Sequence, residues 1–418
     1  MKIKSLSAIV LMIVAAMQVA VAQNGTMTPY SAYGLGILRD HATSTQRAMG
    51  GVGYAMNSGR QINVMNPASY AAIDSLTFLF DMGVNVTALW QKEGQADGTS
   101  VSERNLGGGL DYATMQFPLG RYMGASVGLV PFSSVGYSFG SQIDNGIDSR
   151  QGNGSINQLY VGIAGRPFKG FTLGANVSYL FGTILNETYA MINSSQSAVF
   201  QKQLEVRDYH LNFGIQYSIP MRANRLTLGL TYSPAKTLLG TARQVRYDNV
   251  QDATPQTTEE HSLRDRYSLP ETWGAGINLQ LDRRWMIEGD FTYQPWSNAK
   301  FSGFEGETSM QSYANRYKVA AGMQFVPDFR GSYGKRINYR LGAYYTKDYL
   351  VLRGNRINEY GITGGVGFPV PSFKTTVNLS LEWMHRYANP NPLIRENYLS
   401  LSIGINFNEM WFRQSKIY

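Results

Sequence analysis

The chain has 418 residues, a formal net charge of +8, 16% charged residues and no cysteine, together with 44 Gly, 27 Tyr and 19 Phe. Without thiols there is no disulfide framework and no thiolate metal site or nucleophile. The Lys and Arg surplus is scattered, which excludes a nucleic-acid patch and suits anionic lipid headgroups, while the Gly and aromatic content suits a membrane barrel better than a soluble enzyme.

Lys2 and Lys4 precede an apolar run at 6–19, and Ala20, Val21 and Ala22 form a small-residue cleavage signal. Residues 1–22 therefore read as a secretory leader, leaving Gln23 first in the mature chain and, since position 23 is not cysteine, no lipid anchor. Beyond the leader no stretch reaches the roughly 18–20 apolar residues that a spanning helix needs.

Residues 23–74 lack alternation and contain Met49-Gly50-Gly51-Val52-Gly53-Tyr54-Ala55-Met56 and Met65-Asn66-Pro67-Ala68-Ser69-Tyr70. The segment is too apolar for water and too short for a large core of its own. Packing inside a barrel lumen, as a plug, is the predicted arrangement.

From about residue 75 to 418 the pattern changes to period two, the mark of strands whose side chains point to opposite faces. Leu399, Leu401, Ile403, Ile405 and Phe407 alternate with Tyr398, Ser400, Ser402, Gly404, Asn406 and Asn408. Similar stripes occur at 226–233, 285–293 and 376–383, and Trp411 and Phe412 follow the last one as expected interfacial aromatics. Strands of ten or more residues with one apolar and one polar face are longer than those of a soluble sandwich and suit a tilted membrane wall. Hydrocarbon forbids an open edge, so the sheet is predicted to close.

Tight connections are predicted at 118–120, 167–170, 220–224, 282–283, 327–335 and 369–373, and longer polar loops at 91–103, 140–154, 191–198, 248–262, 297–312, 349–354 and 387–394. Six turns and seven loops give an all-β transmembrane antiparallel barrel of fourteen strands, with turns periplasmic, loops external and the bacterial outer membrane as its location.

The Met49-Gly50-Gly51 segment, Asn66-Pro67-Ala68 just ahead of the first strand, and the fourteen-strand layout resemble the FadL/TodX family of outer-membrane transporters, PorV-like members included, over essentially the whole mature chain. The resemblance implies an N-terminal plug, a ligand pocket between plug and wall assigned here to Met49, Gly50, Gly51, Met56, Asn66, Pro67 and Ala68, and an inward kink in the third strand that opens sideways to lipid. That strand is placed at 121–139, where Pro131, which cannot donate to a ladder, and Phe132 mark the expected opening. An ordinary bulge would give the same sequence. Two functions follow. One is passive, cofactor-free uptake of a hydrophobic small molecule with lateral release. That uptake is the leading expectation, and the alternative is a non-transporting barrel acting as a structural or docking subunit of an outer-membrane secretion or assembly complex. The expected partners are outer-membrane lipid, a hydrophobic ligand, the barrel assembly machinery during biogenesis and an outer-membrane protein complex.

Catalytic and metal chemistry finds no pattern. His41, His210, His261 and His385 are dispersed without ligand spacing. Gly107-Gly108-Gly109 and the glycines at 361–367 lack the strand-to-helix context and the Lys-Ser/Thr of a phosphate loop, and read as strand glycines. Glu288 and Asp290 share a lumen face, where Arg340 is expected to balance them and Glu382 adds a further polar group. No nucleophile has an identifiable base, so no enzyme is expected.

Overall fold

The period-two stripes become the two faces of a closed wall in the computed structural model, which describes residues 28–94, 100–143, 146–192, 196–248, 256–301, 311–371 and 374–410. The expected leader at 1–22, together with Trp411 and Phe412, lies outside the described residues. The barrel strands are β1 (Thr77–Gly94), β2 (Ser100–Pro118), β3 (Met123–Ile143), β4 (Gly146–Phe168), β5 (Phe171–Ile192), β6 (Gln196–Met221), β7 (Asn224–Ser233), β8 (Thr272–Leu281), β9 (Trp285–Gln294), β10 (Arg316–Phe325), β11 (Asn338–Leu352), β12 (Asn355–Pro369), β13 (Thr376–Asn389) and β14 (Ile394–Met410). Each pairs antiparallel with its neighbour, and β1 closes on β14 from Thr77 opposite Met410 to Glu93 opposite Ile394. No helix among the described residues is long and apolar enough to cross a membrane.

The faces sort as the alternation requires. On β7, Leu228 and Leu230 are exposed outward while Thr227 and Thr231 are buried inward. On β14, Leu401 is 44% exposed whereas Ser402 and Asn406 face in at 4% and 3%. Replacing Leu401 and Ile403 with Arg would put charge into hydrocarbon at about 2–4 kcal/mol each near the midplane. The double variant is expected to lose most of its heat-modifiable folded form on a gel; a normal folded level would contradict the outward assignment.

The six short turns fall where predicted, between strands ending and starting at 118/123, 168/171, 221/224, 281/285, 325/338 and 369/376. The loop end needs correction. Residues 140–154, expected as a loop, are mostly strand: β3 and β4 stay paired out to Ile143 and Gly146. Much of 248–262 is likewise strand. A hairpin of Gly240–Asp248 and Gln256–Ser262 zips onto the outer half of β6, from Gly240 opposite Val206 to Asp248 opposite Ala198. These stretches are rich in small and polar residues because they rise above the apolar belt, so they lack the stripe by which the other strands are recognised. The hairpin adds no stave, because β7 occupies the inner half of β6 and pairs with β8 on its other side.

One seam departs from full pairing. β1 and β2 stay paired as far as Gly94 and Ser100, and β3 with β4 to the loop end, yet β2 and β3 pair only from Ala113 opposite Leu129 to Pro118 opposite Gly124. Above that point the two strands part. The third strand, expected at 121–139, is observed at Met123–Ile143. Its irregularity is a bulge between Pro131, which stays in register with Asn157 of β4, and Ser133.

Candidate functional site

Residues 28–74 run inside the barrel from its loop end to its turn end. At the loop end, the Thr28 amide donates to the Gly136 carbonyl (2.8 Å), its hydroxyl to Glu396 (2.5 Å), and the Tyr30 hydroxyl to the Ile394 carbonyl (2.6 Å). A two-residue strand, Ile37–Leu38, then pairs with Ser134 and Ser133, and the Arg39 amide donates to the Phe132 carbonyl (2.9 Å). The lumenal segment thus takes the β3 edge that β2 leaves.

A single helical turn follows, Ser44–Arg47, opened by the Thr43 amide donating to the Gln46 side chain (2.8 Å). It is closed by Gly50 and Gly51, both left-handed at φ +76° and +77°. Gly50 is also the only residue type that fits there, since an added Cβ would lie 2.8 Å from the Ala343 carbonyl and 2.9 Å from that of Ala321. This is the physical reason for the Met49-Gly50-Gly51 sequence.

The wall answers with glycine. A Cβ on inward-facing Gly174 would come within 2.6 Å of the Pro67 carbonyl, and one on Gly322 or Gly342 would overlap the backbone of Met49. Gly214, Gly229 and Gly404 likewise receive Asn66, Tyr54 and Ser44. The close fit is locked by polar groups. Asp290 accepts from the Gly53 and Tyr54 amides (2.7 and 3.0 Å) and Glu288 from Ala55 (2.9 Å). Asn66 caps the 3-10 turn Pro67–Ala72 through Ala68 N (3.0 Å) and reaches the Tyr54 carbonyl (2.6 Å).

The expectation that Arg340 balances Glu288 and Asp290 is therefore corrected. Arg340 donates to Gln324 and Asn378 (2.8 Å each), while the two carboxylates are spent on main-chain donors of the segment, 233 to 237 positions away in sequence. Glu382 accepts from the Tyr344 hydroxyl. Of the seven residues assigned to a pocket, Met49, Met56, Asn66, Pro67 and Ala68 are buried against the wall, whereas Gly50 and Gly51 border a cavity.

Two cavities of about 120 Å³ each lie between the segment and the wall among the described residues. Leu38, Arg39 and Asp40 line both, and none of the three carried a sequence signal. The first cavity is walled by ion pairs: Arg47 with Asp111 (3.1 Å), Lys318 with Asp40, and Arg386 with Glu359 (2.9 Å). Burial pushes the Asp40 carboxyl up, but Lys318 and Arg316 outweigh it and hold the group below its ordinary range. Burial lowers His41 to about 4 against the pull of Asp40, so at neutral pH it is an uncharged ring beside Phe132 in the second cavity. Above both lies an apolar core in which Leu35 meets Val135, Leu180, Val206, Leu263 and the stacked pair Trp296 and Tyr349 (4.3 Å). Of the four histidines, His41 and His210 both line the second cavity against Phe132, whereas His261 and His385 lie on other strands.

The architecture has solved counterparts. The P. putida toluene transporter TodX is similar at 14% identity and TM-score 0.64, with 90% of this chain and 100% of that chain covered. The Ralstonia pickettii toluene transporter TbuX gives 15% and 0.62 over 88% and 98%, and a Pseudomonas aeruginosa FadL homologue 11% and 0.60 over the same shares. At these identities the likeness is one of fold, and it places the fourteen-strand barrel in the bacterial outer membrane. No curated protein matches the sequence. The family model described as BamG matches residues 2–418. A barrel of TodX and FadL fold whose lumen is filled by its own N-terminal segment, the chain belongs to the BamG family.

Proposed function

We propose that this barrel is a non-transporting subunit, a docking body within an outer-membrane protein assembly complex, with the family name linking it to the barrel assembly machinery. The observation that carries the reading is the filled lumen. Residues 28–74 act as a permanent plug set into wall glycines and held by buried carboxylates. The two cavities are small, about 120 Å³ each against the roughly 300–1,000 Å³ of a small-molecule pocket, and ion pairs wall the first, which apolar surface gains little by entering. An apolar core around Leu35, Trp296 and Tyr349 adds to the packing of the segment against the wall.

A second reading, uptake of a hydrophobic compound with lateral release at Pro131 and Phe132, is favoured by the parted β2 and β3 and by the toluene transporters of the same fold. In that reading the segment 36–41 would have to leave the β3 edge. Extraction of outer membranes in mild detergent distinguishes the two. The docking reading expects the chain to migrate with fixed stoichiometric protein partners, whereas quantitative recovery as a lone barrel would overturn it.

A further inference from the structure

Closure of the barrel brings together three cations that are far apart in the chain. Lys92 of β1 lies opposite Arg395 of β14, and Arg104 of β2 lies opposite Trp90, the next outward residue of β1. All three are exposed, and the Arg104 guanidinium sits over the Trp90 ring, 5.6 Å from its centroid. Their outward direction follows from the alternation: Val86 and Trp90 on β1 and Leu399 and Leu401 on β14 are exposed, and Lys92 and Arg395 continue those two rows.

The carboxylates of the same strands take the other face. Glu396 is fully buried towards the lumen, where the Gln91 amide reaches it (3.4 Å), and Glu103 is in register with Gln91. Glu93, next to Lys92 in the strand, turns the same way. Three neighbouring strands thus carry cations outside and anions inside. Two other exposed arginines of the loop end have a carboxylate beside them, Arg150 with Asp148 and Arg243 with Glu260 (3.2 Å each). Among the described residues no carboxylate pairs with Lys92, Arg104 or Arg395. Like charges opposite each other across a ladder repel, so this face is built for an anion from outside the chain.

Height on the wall identifies that anion. The outward row of β1 passes from Phe80 at the turn end through Met82, Val84, Val86 and Ala88 to Trp90, without a charge. From Phe80 to Trp90 the strand advances ten residues, which at about 3.3 Å each and a tilt of about 40° gives about 25 Å, the height of the apolar band between two aromatic girdles. Lys92 and Arg395 stand one outward step above Trp90, at the headgroup level of the external leaflet, where lipid phosphate is the anion within reach.

We infer that Lys92, Arg104, Arg395 and Trp90 form a binding site for a phosphate-bearing glycolipid of the external leaflet, its phosphate held by the three cations and its acyl chains laid along the outward side chains Val86, Leu106 and Leu401. Val86 is in register with Leu401, and Leu106 with Ala88, so these rows run side by side below the cations. The guanidinium groups offer paired donors to phosphate oxygens and Lys92 a point charge. Because the site spans β14, β1 and β2, the bound lipid bridges the closure of the barrel. It lies on the outer wall and is independent of whether the lumen transports or the barrel docks.

The purified protein in detergent, titrated with bisphosphorylated lipid A and read by native mass spectrometry, tests the site. The wild type is expected to retain this lipid far better than the same lipid stripped of both phosphates. Combining Lys92→Gln, Arg104→Gln and Arg395→Gln should weaken binding by about fivefold per cation, about a hundredfold in all, and leave the dephosphorylated lipid unaffected. Arg121→Gln, Lys169→Gln and Arg330→Gln, exposed cations of the turn end, form the charge-matched control and should bind as the wild type does. Equal retention of the two lipids by the wild type would overturn the inference without recourse to any variant. So would undiminished binding by the first triple variant, or an equal loss in the control. Inorganic phosphate at the lipid's own concentration should not displace it; displacement would make the patch a site for anions from solution and remove the lipid.

Discussion

Gly322→Val combined with Gly342→Val is expected to prevent the barrel from closing around its N-terminal segment. Both glycines face Met49, and a Cβ on either would overlap its main chain, which is pinned by the Gly50 amide donating to Thr363 (2.8 Å) and by the carboxylates that hold Gly53 to Ala55. Overpacking a well-packed core costs about 1–3 kcal/mol per site when side chains can adjust. Here the obstacle is backbone on both sides, so the two sites together exceed that range. The folded, heat-modifiable band should fall to a small fraction of wild type, and trypsin should cut at Arg47 in what remains. Gly289→Val is the control, because its nearest neighbours to an added Cβ are at 3.9 and 4.0 Å. A double variant folded and resistant at wild-type level would show that the glycine ring does not seat the segment.

Arg386→Ala is expected to be the most damaging single change at the loop end. The guanidinium is 3% exposed and bonds Glu359 (2.9 Å), Glu396 (3.4 Å) and the Tyr398 hydroxyl (2.8 Å), while the fully buried Glu396 also accepts from Tyr398 (2.6 Å) and from Thr28. Removing the cation leaves two carboxylates facing each other without a counter-charge, a loss of about 3–5 kcal/mol for a buried pair. Thr28 and Tyr30 should then detach, and the transition from folded to unfolded band should move to clearly lower temperature. Adding Glu359→Gln and Glu396→Gln to Arg386→Ala should recover most of the loss, since no unpaired charge then remains. An unchanged transition in the single variant, or no recovery in the triple one, would contradict the ion-pair account.

The wall was legible because lipid imposes one rule on every stave. Leu228, Leu401 and Phe291 had to face out, and the alternation around them marked strand, face and turn together. The tall extensions of β3 and β4 and the hairpin on β6 were not legible, since above the belt no such rule acts on residues such as Ser149, Gly152 or Thr241. In the N-terminal segment, Met49-Gly50-Gly51 and Asn66-Pro67-Ala68 stood out, and the left-handed Gly50 and the Asn66 cap explain why those residues are needed. Their partners could not be read. Gly53 meets Asp290 and Met49 meets Gly342, pairings that exist only once the barrel has closed. Pro131 marks a bulge on β3, whereas the parting of β2 from β3 is a matter of register that no residue pattern announces. Leu38, Arg39 and Asp40 escaped notice for the same reason: isolated charges beside short apolar runs resemble any loop.

On the docking reading, the lumen is occupied by the chain itself and conducts no hydrophobic compound. Its most direct test is flux of labelled toluene into lipid vesicles containing the purified protein, with vesicles containing TodX and empty vesicles measured alongside. Flux indistinguishable from empty vesicles is the expected result; entry at the rate of the TodX vesicles would contradict the account and restore the barrel to the transporters whose fold it shares.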